Sequence, residues 1–257
     1  RRAVPGAVAR FRPELKARVL ARGIDGAGLD KESLLSCLEE LRTIGPDAAV
    51  AVPALVSKAI CSLRNKSQHY YAEEAQEALQ STVGFVSTIV DTLKAIGPHG
   101  LEALTNDLVP ALAELLVSDD DMLVLTAIQV LEGIGFEARE AVPALMELSG
   151  QTAKVVIDGR WVTVRIAPWA FEAIGKIGCA DSGTVNRLAE ILIDETEPAD
   201  VKTFAAIAIA GLGPDASSVP AVMIWFLQRL NRLPMGGPDD YFIEESAVAC
   251  AKYFGEL

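Results

Sequence analysis

The chain has 257 residues, 51% of them apolar, enough for one large domain or two small ones around a continuous core, which excludes a disordered chain. Its formal net charge of −12 argues against a surface that tracks nucleic acid throughout, because such binding rests on neutralising phosphates with Lys and Arg. A protein partner with a basic segment fits that balance better than DNA or RNA does.

Residues 1–27 form a basic N-terminal cap segment. Arg1, Arg2, Arg10, Arg12, Lys16, Arg18 and Arg22 stand against Glu14 alone, a local +6 that leaves −18 for the rest of the chain. Pro13 starts a short helix running to Gly23, and the run "GIDGAG" then breaks it. Residues 28–257 repeat one pattern. Ile-Gly or a related step recurs at Ile44-Gly45, Ile96-Gly97, Ile134-Gly135, Ile177-Gly178, Leu212-Gly213 and Phe254-Gly255. Four positions before each glycine stand Leu41, Leu93, Leu131, Ile174, Ile209 and Ala251, and eight before it Cys37, Ile89, Ala127, Ala170, Ala205 and Ala247. Those spacings share one helical face, so each segment reads as an amphipathic helix closed by a glycine C-cap. A second signature follows most of the glycines: Val52-Pro53, Val109-Pro110, Val142-Pro143 and Val219-Pro220. Proline is tolerated in the first turn of a helix, so these mark helix starts. Thr184 to Leu188 keep the apolar spacing without the proline.

Two insertions interrupt the repeat. Residues 62–82 lengthen a helix or add a turn, with His69, Tyr70 and Tyr71 as packing residues or a contact patch. Residues 152–168 are rich in β-branched side chains around Asp158-Gly159, the sequence of a two-residue hairpin turn. The expected register pairs Ile157 with Arg160, Val156 with Trp161, Val155 with Val162 and Lys154 with Thr163. Alternation then puts Ala153, Val155, Val162 and Val164 on a docking face. Lys154, Val156, Trp161, Thr163 and Arg165 fall on the other, an aromatic flanked by cations. Carboxylates gather in turns at Asp119, Asp120 and Asp121, at Asp194, Glu195, Glu197 and Asp200, and at Asp239-Asp240, where helix capping, a divalent cation or a basic partner would use them. The helix at 221–230 carries Met223, Trp225 and Phe226, more large apolar groups than one core face takes, and a last helix at about 239–254 caps the stack.

"LEELRTIGPDAAVAVPALV", "LEGIGFEAREAVPALMEL" and "IAGLGPDASSVPAVMIWFL" resemble HEAT repeats of the bacterial, phycobilisome-lyase-like kind. The resemblance covers nearly the whole chain from about residue 28. It implies an all-α, right-handed α-α superhelix of about five helix pairs plus caps, here with one β-hairpin near 153–166. Enzymes on similar scaffolds leave tests. Deoxyhypusine hydroxylase needs repeated His-Glu pairs, whereas His69 and His99 are this chain's histidines and are followed by Tyr70 and Gly100. DNA glycosylases of HEAT type need a basic groove, and the second helices here are poor in Lys and Arg. Bilin lyases hold a tetrapyrrole, for which no pocket is legible.

Cys37, Cys61, Cys179 and Cys250 lack CxxC spacing and read as buried free thiols. No run of 18 consecutive apolar residues or signal peptide is present, so the expected location is the cytoplasm. No phosphate loop, nucleophile elbow or metal-spaced histidine cluster occurs, and no cofactor is expected. The reading is a non-catalytic scaffold or adaptor that presents an acidic solenoid surface to a protein partner. Its candidate contacts are Trp161, Lys154, Arg165, Arg160, Asp119, Asp120 and Asp121. The alternative is a lyase or chaperone-like subunit holding a hydrophobic ligand near residues 221–230.

Overall fold

The computed structural model describes residues 13–26, 30–64, 72–157, 160–179 and 181–212. The chain divides into two compact units, residues 1–111 and 112–257. Both are built from helices, and the sheet content of the described residues is a single two-stranded hairpin. The chain is therefore all-α with a small β insertion.

In the first unit, α1 (Pro13–Asp25) starts at the expected proline and runs two residues past Gly23. Its Ala17, Ala21 and Ile24 are buried, and it packs on α2 (Lys31–Ile44) and α3 (Val52–Arg64). The Lys16 ammonium pairs with the Glu40 carboxylate of α2 at 2.9 Å. The stretch Lys31–Arg64 is long and apolar enough, by length and composition alone, to cross a membrane. Gly45, at φ 65°, breaks it between α2 and α3, and Leu34, Leu38, Leu41, Leu55, Ala59 and Leu63 are buried within the unit. The described part of the insertion from residue 72 onward lies in α4 (Ala72–Ile96), which has 25 residues. After it come α5 (Pro98–Ala103), a π-helical turn at Leu104–Leu108 and α6 (Val109–Leu115), which crosses the boundary between the units.

The second unit continues with α7 (Asp121–Ile134) and α8 (Val142–Met146), then β1 (Thr152–Ile157) and β2 (Arg160–Arg165). Next are α9 (Ala167–Ile177), α10 (Ser182–Ile193) and α11 (Ala199–Gly211). α9 is the hub, packing against α7, α8 and α11, with Phe171, Ala170 and Ile174 fully buried. α8 is short, five residues prolonged by a 3-10 turn over Glu147–Gly150, and β1 begins almost at once.

The repeat positions hold their expected places. Leu41, Leu93, Leu131, Ile174 and Ile209 are all 0% exposed, and so are Ile89, Ala127, Ala170 and Ala205. Cys37 departs from the set and is half-buried. The Val-Pro pairs do start helices, at Val52, Val109 and Val142. The link from glycine to proline is more regular than a loop: Gly45–Ala51 and Gly135–Ala141 are 3-10 helices leading straight into α3 and α8. Thr184, Val185 and Leu188 are buried in α10 without a proline, because Asp181 caps that helix in its place.

The glycine of the repeat has a specific backbone role. Gly45, Gly97 and Gly135 share φ 65 to 84° and ψ −135 to −139°, a region that side chains rarely enter. A Cβ on Gly135 would meet nothing within 4 Å, so the strain of Gly135→Ala is purely conformational. That variant is expected to lose about 2 kcal/mol in urea unfolding with an unchanged m-value. Gly178 ends α9 differently, in the left-handed helical region at φ 69°, ψ 17°.

The residues carrying His69, Tyr70 and Tyr71, the Asp158-Gly159 turn, Cys250, Met223, Trp225, Phe226, Asp239-Asp240 and the capping helix at 239–254 lie outside the described residues.

Candidate partner-binding site

The hairpin has the register that alternation demands. Val156 pairs with Trp161, Val155 with Val162, Lys154 with Thr163, and the ladder runs unbroken from Thr152–Arg165 to Ile157–Arg160. It extends one step further as the Ile166 N–H donates to the Gln151 carbonyl at 3.0 Å.

Its seating is asymmetric. Ala153 and Val155 of β1 are buried, and β1 lies against α7. Val162 of β2, expected to dock with them, is 40% exposed, and Val164 is half-buried. The reason is geometric: a two-stranded ribbon twists strongly, so seating one strand on a helix carries its partner outward. Lys154, Arg160, Thr163 and Arg165 are exposed, and Trp161 is 45% exposed.

The acidic turn before α7 acts on this element through one residue. The Asp121 carboxylate accepts the Lys154 backbone N–H at 2.8 Å, tying the outer edge of β1 to the start of α7. Asp120 is the N-cap of α7 and accepts from the Met122 and Leu123 amides at 3.1 and 3.4 Å. Asp119 is exposed. Thus the fold brings Asp121 to the hairpin and employs Asp120 in capping, and among the described residues no contact joins Asp119 to the candidate cations. Asp200 sits in the first turn of α11, whose N-cap is Pro198. Asp194 accepts from the Thr196 amide and hydroxyl at 2.8 and 2.7 Å.

Asp121→Ala is expected to free the Lys154 amide and raise its hydrogen-exchange rate by about tenfold, since a hydrogen bond to a charged group typically contributes about 1.5 kcal/mol. Exchange unchanged at Lys154 would mean that the hairpin is held by Ala153 and Val155 alone. Capping gives a separate pH signature. The backbone amides of Ser33 and Thr184 hold the Asp30 and Asp181 carboxyls below their ordinary value of 3.8. A carboxyl with a lowered folded pKa stabilises fully above the unfolded value, and that contribution is lost as pH falls through the folded one. Unfolding measured against pH should therefore show a loss that sets in below 3.8 and shrinks in Asp181→Asn, which caps without titrating.

A ladder of surface charges braces the second unit. Lys176 on α9 bridges Glu132 of α7 at 2.6 Å and Glu172 of its own helix at 2.9 Å. Partial burial pulls its ammonium pKa down, but the hydrogen bonds and charges of the two glutamates outweigh this and hold it above the usual lysine value. Arg187 of α10 reaches Glu147 at 2.7 Å.

The three described thiols are free, as expected, but not buried: Cys61 is exposed, and Cys37 and Cys179 are half-buried. Partial burial and the Glu40 charge push the Cys37 thiol up, away from the thiolate. Among the described residues no group of three or more His, Cys, Asp or Glu side chains is placed to hold a metal.

Sequence reasoning missed an open groove of about 440 Å³ in the first unit, lined by Ala49, Val52, Pro53, His99, Glu102 and Asn106, with Asp107 and Ala103 beside them. His99 and Glu102 sit at i and i+3 of α5, a visible signal. The π-helical turn at Leu104–Leu108 places Asn106 and Asp107 on the same wall and leaves no mark in the residue pattern.

Fold and site together define a helical-repeat protein with an inserted hairpin. No family model matches the chain, and no curated protein matches it. Among solved structures it is similar to a designed armadillo repeat protein in complex with the peptide (KR)4, at 17% identity over 93% of this chain and 99% of that one, with a TM-score of 0.48. It is similar to an engineered protein at 18% identity, 94% and 99% coverage and a TM-score of 0.47. Human deoxyhypusine hydroxylase matches at 16% identity, 97% and 99% coverage and a TM-score of 0.39. None of these assigns the chain to the phycobilisome-lyase-like HEAT family.

Proposed function

We propose that this chain is a non-catalytic protein-binding scaffold, HEAT-like in the phycobilisome-lyase-like manner, whose hairpin is a contact element for a protein partner. One observation carries the reading: the hairpin holds the exposed Trp161 on one face with Lys154 and Arg165, with Arg160 exposed beside the turn, while β1 is seated on α7. Aromatic and arginine side chains dominate binding energy at interfaces, and a rigid helical support lowers the ordering cost of using them. The net charge of −12, with Asp119 and the carboxylates between α10 and α11 on the surface, adds long-range attraction for a partner with a basic segment.

The test is affinity capture from the native host with wild type and a Trp161→Ala, Arg165→Glu double variant, matched for helical circular dichroism. A partner kept by wild type and lost by the variant supports the reading. Equal retention reduces the hairpin to a structural cover.

A further inference from the structure

The hairpin's two edges are not equivalent. In its ladder, the Ile166-to-Gln151 bond identifies the residues of β1 and β2 that bond one another as 151, 153, 155 and 157 with 160, 162, 164 and 166. The alternate residues turn their backbone groups outward. On β1 the outward N–H of Lys154 is occupied by Asp121. On β2 the outward N–H and C=O groups belong to Trp161, Thr163 and Arg165, and no described residue hydrogen-bonds to them. Natural sheets blunt such an edge with proline, a bulge or a cover. β2 has no proline, and its pairing is one-to-one throughout. Among the described residues its outward edge, at Trp161, Thr163 and Arg165, is unpaired.

Charge says what this edge takes. Thr152 to Arg165 contain Lys154, Arg160 and Arg165 against Asp158, a local +2 on a chain of −12. Among the described residues no carboxylate pairs with those three cations. A second copy of β2 can bond along this edge only with Trp161 opposite Arg165 and Thr163 opposite itself, a register that brings no carboxylate to Arg160 or Arg165 of either copy. An acidic strand sets a carboxylate opposite each of the two arginines.

Resting on the reading of the hairpin as a contact element, and not on the basic segment that the acidic turns would attract, we propose that β2 is a strand-addition site for an extended acidic segment of the partner protein. The segment carries carboxylates five residues apart, opposite Arg160 and Arg165, with apolar or β-branched residues between them. Its backbone pairs with Trp161, Thr163 and Arg165, and Lys154, Trp161 and Arg165 share the face that reads alternate side chains.

The experiment uses the full chain and three synthetic peptides: Asp-Thr-Val-Thr-Val-Asp, the same peptide with both aspartates replaced by lysine, and the aspartate peptide N-methylated at the amides that would pair. The expected result is slowed hydrogen exchange at the Trp161, Thr163 and Arg165 amides with the first peptide, and at least about tenfold weaker binding by each of the others. Thr163→Pro, which removes an outward donor while leaving the ladder's own bonds, should abolish binding with Lys154 still protected by Asp121. Equal binding of the N-methylated peptide, absent protection on β2, or protection arising from dimerisation of the chain alone would overturn strand addition. If the Trp161, Arg165 variant still loses the native partner in that case, the scaffold reading stands without it. If the partner is retained, both fall.

Discussion

Phe171→Ala is expected to lower the unfolding free energy by about 4 kcal/mol, the cost of removing a buried aromatic and leaving a cavity. Phe171 is 0% exposed and sits in the middle of α9, the helix against which α7, α8 and α11 all pack. The void therefore opens at the junction of several helices, and no single neighbour can fill it by leaning in. Urea unfolding followed by circular dichroism would measure the loss. Phe171→Leu, which retains much of the volume, should cost about 1 kcal/mol. Since α9 begins two residues after β2 ends, the alanine variant should also reduce amide protection in the hairpin. A loss below about 1 kcal/mol would mean that α9 is not the hub that its burial implies.

Gly100→Ala should be nearly as costly, about 3 kcal/mol, for the opposite reason. The first turn of α5 lies on the last turns of α4 so closely that a Cβ on Gly100 would collide with the Leu93 carbonyl oxygen and come within 2.7 Å of its carbon. Those atoms are backbone and cannot rotate aside, so α5 would have to lift from α4. Gly84 in α4 supplies the control. A Cβ there meets nothing within 4 Å, and alanine is the better helix former. Gly84→Ala should raise stability by up to about 1 kcal/mol. Two glycine-to-alanine changes with opposite signs would separate close approach from helix propensity. Destabilisation by both would overturn the account of Gly100.

Much of the fold was legible because its causes are local. An apolar face ending at an Ile-Gly step needs only helical periodicity and a residue free to take positive φ, so Leu41, Leu93, Leu131, Ile174 and Ile209 fell in the core as their spacing required. The hairpin register was legible for the same reason: a two-residue turn leaves one pairing, and Val156 meets Trp161 in it. The first insertion was half legible, since a polar start followed by helical sequence fits either a longer helix or an added turn, and its described part from residue 72 lies in the 25-residue α4.

What the sequence alone determined is the succession of helices, their buried faces and the strand pairing, all consequences of periodicity and turn chemistry within about one element's length. Only tertiary structure decided which hairpin strand is seated. Val155 and Val162 are cross-strand partners of like chemistry, yet ribbon twist and the Asp121 tether bury one and expose the other. It also decided that Asp121 serves the hairpin while Asp120 caps α7, and that His99, Glu102 and Asn106 line one groove. Those outcomes depend on where separate elements come to lie against each other, a three-dimensional relation that no spacing along the chain encodes.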